Sequence, residues 1–181
     1  AGGSGPCAPE ALVRPALSPA DRRELKGLAL RLAAFALGGW LLLGVVFGVG
    51  SAPNDDMHPA MEAGDVYVYY RLQKNWRAGD LVCAKKQGHT VVGRVAAAQG
   101  DSVAITPQGQ VVVNGALVLQ RDASPTPAYE GGPDYPLTLG EGEVFLLCDN
   151  RRTGADSRLF GPLSANQRRG KILVILRRSQ L

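Results

Sequence analysis

The chain has 181 residues, 45% of them hydrophobic, with 23 Gly, 12 Pro and a formal net charge of +4. That much apolar side chain offsets the entropy of ordering and excludes a disordered protein, and the length suits one core with accessory segments. The small basic excess gives no footprint for nucleic acid, and two isolated histidines without a CxxC pair give neither a metal site nor a cofactor site.

In chain order, residues 1–31 are expected to be a cytoplasmic tail, with its Gly/Pro/Ala-rich first twenty residues flexible. Leu32 to Gly50 follows, nineteen residues without a charge, LAAFALGGWLLLGVVFGVG. At about 1.5 Å per residue this run crosses a hydrocarbon layer of about 30 Å, so 32–50 is predicted to be a transmembrane helix. Its lack of a polar face argues against a core helix of a soluble domain, and its length exceeds the roughly 7 to 15 residues of a signal-peptide core, although GVGSAP is a weak cleavage-site pattern. Arg14, Arg22, Arg23, Lys26 and Arg31 precede it and place the N-terminus in the cytoplasm. The expected topology is single-pass in the cell membrane, with residues 51–181 outside it.

The remainder reads as strands. VYVYYR (66–71), DLVCAKK (80–86), TVVGRVAAA (90–98), DSVAIT (101–106), VVV and ALVLQ around Asn114-Gly115, EVFLLC (143–148) and KILVILR (171–177) are short and rich in β-branched residues. Asn-Gly between apolar runs is a strong hairpin signal. The Pro-rich piece 123–136 is expected to be an exposed loop. The predicted fold class is therefore mainly β, an extracytoplasmic domain behind one N-terminal transmembrane helix.

Three segments carry a more specific pattern. Asp56-Met57-His58-Pro59-Ala60-Met61-Glu62-Ala63-Gly64-Asp65 resembles the first motif of type I signal peptidases, Ser-Met-x-Pro-Thr-Leu-x-x-Gly-Asp. Gly93-Arg94 through Gly100-Asp101 resembles the second, Lys-Arg-x-x-Gly-x-Pro-Gly-Asp. Cys148-Asp149-Asn150-Arg151-Arg152-Thr153-Gly154-Ala155-Asp156-Ser157-Arg158 resembles the third, Gly-Asp-Asn-Arg-x-x-Ser-x-Asp-Ser-Arg. The resemblance covers residues 30–178 and implies the β-fold of membrane-anchored Ser/Lys proteases, with Asp149, Asn150, Arg151, Asp156, Ser157 and Arg158 as its structural motif.

The departures fall on the chemistry. By this resemblance Asp56 takes the position of the nucleophilic serine, Gly93 that of the general-base lysine, and Gly154 that of the serine that orients the lysine. A serine attacks an amide only when a base accepts its proton, so the pattern implies no catalytic residue and no peptidase activity. The Asp/Gly pair is similar to signal-peptidase-like pilus assembly factors of Gram-positive bacteria. That resemblance implies a chaperone or assembly factor whose partners are pilin subunits and a class C sortase. The alternatives are an active peptidase with a non-standard residue set and a signal-peptide-binding regulator of secretion.

A scaffold without the dyad still offers a cleft for an extended peptide, expected at Asp56, Met57, Pro59, Gly93, Ala96 and Ala97. Ala96 to Ala98 read equally as ordinary sheet packing. Cys7 falls on the reducing side of the membrane, while Cys83 and Cys148 lie outside, where a disulfide is permitted. Cys148 is expected to pack into room left by Gly93 rather than to form that bond.

Overall fold

The computed structural model describes residues 18–73, 75–118 and 125–178. Cys7, most of the predicted tail, the end of the ALVLQ run at 119–120 and the first two residues of the predicted Pro-rich loop lie outside the described residues.

Helix α1 runs Pro19–Val46, beginning thirteen residues before the apolar run at Leu32. Its start is set by a reciprocal cap. The Asp21 N–H donates to the Ser18 hydroxyl and the Ser18 N–H donates to the Asp21 carboxylate, each at 3.1 Å, with Pro19 at the first helical position. The helix is long and apolar enough to cross a membrane, with a mean hydropathy of 1.9 over its most apolar window.

The apolar run does not end as helix. Phe47–Ser51 forms strand β1, antiparallel to β2 (Val66–Tyr70). Gly48 pairs with Tyr69 and Gly50 with Tyr67, and the tyrosine rings lie across the glycines. A Cβ on Gly48 would sit 2.3 Å from the Tyr69 ring, and one on Gly50 2.6 Å from the Tyr67 ring. Two glycines in four residues weaken a helix, and here each is covered by an aromatic partner, so the predicted span 32–50 is shared between helix and sheet.

The described residues divide into two compact units, one up to Leu41 and one from Leu42 on. The second contains two antiparallel sheets. With β3 (Leu81–Lys86), β4 (His89–Ala98), β9 (Val144–Leu147) and β10 (Arg168–Leu176), the larger sheet has the order β1-β2-β10-β3-β4-β9. The smaller comprises β5 (Ser102–Ile105), β6 (Val111–Val113), β7 (Ala116–Leu117) and β8 (Leu137–Thr138) in the order β7-β6-β5-β8. The mainly β prediction holds, and Asn114 and Gly115, both at positive φ, make the β6–β7 turn. β1, β8 and the one-turn helix α2 (Ser157–Phe160) are additional to the predicted elements.

Strand alternation sorts the core. Cys83 pairs with Val92, and both pack with Met57, Met61, Tyr67 and Cys148. Val82 and Ala84 on either side of Cys83 point the other way and pack with Val95, Trp76, Val144 and Leu146. Ala97 and Phe145 pair across β4 and β9 and join a third group with Val103, Val111 and Leu147, which couples the two sheets.

Candidate functional site

The residues of the first and third motifs meet in one place. Asp56 lies in the turn between β1 and β2, and its backbone carbonyl accepts from the Asn150 N–H at 2.9 Å. Its carboxylate Oδ2 accepts from the Asn54 side-chain amide at 2.8 Å and from the Ala155 N–H at 3.3 Å. Asp56 is half-buried and tied to the loop that carries Gly154, which differs from a free acid at a loop tip. Burial raises its carboxyl above the usual range, against the lowering effect of the Ala155 and Asn54 hydrogen bonds.

Asp55 does not complete a carboxylate pair with it. The Asp55 carboxylate accepts from the Ala63 N–H at 2.7 Å. Asp65 likewise accepts from the backbone N–H groups of Glu62 and Arg178, and Asp101 accepts from the Ala98 N–H and from the Asn114 side-chain amide. These acids serve turns.

Gly93 is buried in β4, paired with Val82. A Cβ there would meet Leu146 Cβ at 3.1 Å, Leu146 Cδ1 at 3.4 Å and the Leu147 carbonyl at 3.5 Å. The expected filling of this room by Cys148 is not what the structure has: Leu146 occupies it. The reason is the period of two along a strand. Val92 and Cys83 share the cluster of Met57, so position 93 starts on the opposite face, with Val82 and Leu146.

Cys148 crowds Gly154 instead. A Cβ on Gly154 would fall 2.5 Å from Cys148 Cβ, 3.0 Å from its Sγ and 2.6 Å from the Asn150 carbonyl. By the motif comparison, the larger residue of this pair has moved from position 154 to position 148. Both Cys83 and Cys148 are free thiols. Burial raises both, Cys83 to about 12, and the Cys148 Sγ donates to the Ala155 carbonyl at 3.5 Å, so neither is poised as a thiolate nucleophile.

The third motif is a hydrogen-bonded scaffold. Asp156 and Arg158 are buried and paired through Oδ1 to Nε at 2.8 Å and Oδ2 to Nη2 at 2.9 Å. Asp156 also accepts from the Cys148 N–H, and the Ser157 hydroxyl accepts from the Leu146 N–H, which fixes the end of β9. Arg94 in β4 grips Asp149 with two bonds, at 3.0 and 2.8 Å, joining the second motif to the third. Arg151 Nε donates to the Cys148 carbonyl. Asp149 was among the sequence-predicted structural residues, but its partner Arg94, beside Gly93, was not. Its signal in the sequence was the Arg of the Lys-Arg motif.

The expected peptide cleft is corrected in part. Met57 and Ala97 are 2% and 1% exposed and Gly93 is buried, so these three face the interior, where alternation and the turn at 57–61 place them. Asp56 and Ala96 are half-buried and Pro59 is exposed, and these remain accessible from outside. Among the described residues no group of three or more His, Cys, Asp or Glu side chains could hold a metal.

The sequence model described as "Signal peptidase, peptidase S26" matches residues 25–176. The chain is 41% identical over 102 residues to a plasmid transfer protein TraF of Escherichia coli, covering 52% of this chain and 54% of that protein. It is 27% identical over 133 residues to a probable signal peptidase I-2 of Synechocystis, covering 67% of this chain and 59% of that one. The chain thus spans little more than half the length of these curated relatives. A signal peptidase I from Enterococcus faecalis aligns in structure with a TM-score of 0.43 and 24% identity, over 55% of this chain and 97% of that one. With the family match extending from α1 through β10, the chain belongs to the signal peptidase family, peptidase S26.

Proposed function

We propose that this chain is a membrane-anchored signal-peptidase homologue that holds an extended peptide without cleaving it. The observation that carries the reading is the state of the three motif positions. A carboxylate hydrogen-bonded to Asn54 and Ala155 stands at position 56, no side chain stands at 93, and Cys148 closes the space at 154. A carboxylate is a poor nucleophile toward an amide, and no lysine is supplied by the three motifs to serve as its base.

α1 supports the anchor, with the β domain outside the membrane by the charge bias of the preceding segment. The partners that follow from the Asp/Gly pair are a pilin subunit and a class C sortase, and the role is that of a chaperone during pilus polymerisation. The 41% identity to a plasmid transfer protein favours a second reading, assembly of a plasmid transfer apparatus on the same non-cleaving principle.

Co-purification of the tagged full-length chain from its native host separates the readings. Recovery with pilin and sortase supports the first, and recovery with plasmid transfer components supports the second. Recovery with mature, freshly cut secretory proteins and their released signal peptides would contradict both.

A further inference from the structure

Beside the third motif, a pocket of about 310 Å³ is bounded by Pro125, Pro127 and Tyr129 and by Arg151, Arg152 and Arg158. Neither Asp56 nor Gly93 lines it. We propose that this pocket is a binding site for an oxyanion, a carboxylate or phosphate group, on a ligand or partner. The proposal does not depend on whether the domain cleaves or only holds peptide.

The charge balance carries it. Arg158 is neutralised by Asp156, and Tyr129 lies against its guanidinium at 5.0 Å while donating its hydroxyl to the Gly154 carbonyl. Asp149, the other acid of the loop, is matched by Arg94. Arg151 and Arg152 therefore bring two positive charges to the pocket, and no carboxylate among the described residues forms an ion pair with either.

Arg151 is the more telling of the two. Its Nε is used by the Cys148 carbonyl, and its Nη1 is buried with no acceptor among the described residues. Burying one end of a guanidinium without a partner is costly, and such a donor calls for an explanation. Burial also lowers its proton affinity, and the nearby Arg158 adds to this against the opposing pull of Asp156 and Asp149. Two guanidinium groups lining one pocket offer charge-assisted donors to the oxygens of a carboxylate or phosphate, against a wall of Pro125, Pro127 and Tyr129.

The test is calorimetric titration of the full-length chain in neutral detergent, at fixed ionic strength, with inorganic phosphate and with a short blocked peptide carrying one glutamate. Chloride is the control. Saturable binding of one or both probes is expected, and the probe that binds identifies the source of the oxyanion. Arg152→Gln, at an exposed position, should weaken that binding about tenfold while leaving the unliganded melting temperature unchanged. Arg151→Lys should weaken it as well, because a lysine keeps the charge but loses the planar guanidinium donors and the Nε bond that positions them. Absence of saturable binding by either probe would overturn the proposal, as would binding that both variants leave untouched.

Discussion

At position 154 the absence of a side chain is a packing requirement. Cys148 and the Asn150 carbonyl already lie 2.5 and 2.6 Å from where a Cβ would go. Gly154→Ser alone should destabilise the chain by about 1 to 3 kcal/mol, the range for forced overpacking. Adding Cys148→Gly should return part of that loss, and a chemical-denaturation cycle over the two sites should show a coupling of roughly 0.5 to 3 kcal/mol. Additive effects would mean that the two positions do not share one space. Asp56 makes a pH prediction of its own. Burial raises its carboxyl in the folded state, so the folded chain binds the proton more tightly than the unfolded one. Its contribution is then most favourable below the ordinary carboxylate value and declines as pH rises through that value toward the raised one. Asp56→Asn keeps an acceptor for Ala155 without the charge. It should match wild type at the acid end and equal or exceed it at pH 7, as followed by melting temperature against pH. Wild type gaining on the variant as pH rises would show that the two hydrogen bonds outweigh burial.

The elements show where sequence reading succeeds and where it stops. β2, β3, β4, β5, β6 and β9 were legible as short β-branched runs, and the Asn114-Gly115 turn between β6 and β7 was legible from its residues alone. β1 was hidden because FGVG continues an apolar run that reads as helix, and only the tyrosines fifteen or more residues downstream make it a strand. The start of α1 was present as Ser18-Pro19-Ala20-Asp21, a capping pattern masked by the Gly/Pro-rich composition before it. In the site, the motif residues could be found by spacing. The faces they use could not, because a one-residue difference along β4 decides whether a side chain joins Met57 or Leu146. The β1 account gives a comparison of two glycines. Gly50→Ala would drive a methyl into the Tyr67 ring and should cost about 1 to 3 kcal/mol, whereas Gly44→Ala, with nothing within 4 Å, should be neutral or mildly favourable. Thermal unfolding of the two variants in the same detergent checks this, and equal melting temperatures would remove the aromatic cover as the reason for β1.

For the whole molecule, the two retained features and the three altered ones divide cleanly. The Asp156–Arg158 pair and the Arg94–Asp149 clamp hold the motif loops together, while Asp56, Gly93 and Gly154 stand at the three positions where the motif comparison expects a serine, a lysine and a serine. Rebuilding the dyad by Asp56→Ser with Gly93→Lys and Gly154→Ser therefore meets Cys148 and the Asn150 carbonyl at 154, within 2.6 Å of a new Cβ, and at 93 requires Leu146 to shift by a few tenths of an ångström. A displacement of about 1 Å in a positioned base is enough to cost on the order of 100-fold in rate. The central claim is that the wild-type chain holds peptide and does not cut it. Incubating the purified full-length chain in detergent with a secretory precursor bearing an Ala-x-Ala cleavage site, and following the precursor by mass spectrometry, tests this directly. The account predicts intact precursor at the level of the no-protein control and no covalent adduct on the chain. Product cut at that site, formed by wild type and lost in Asp56→Asn, would contradict it.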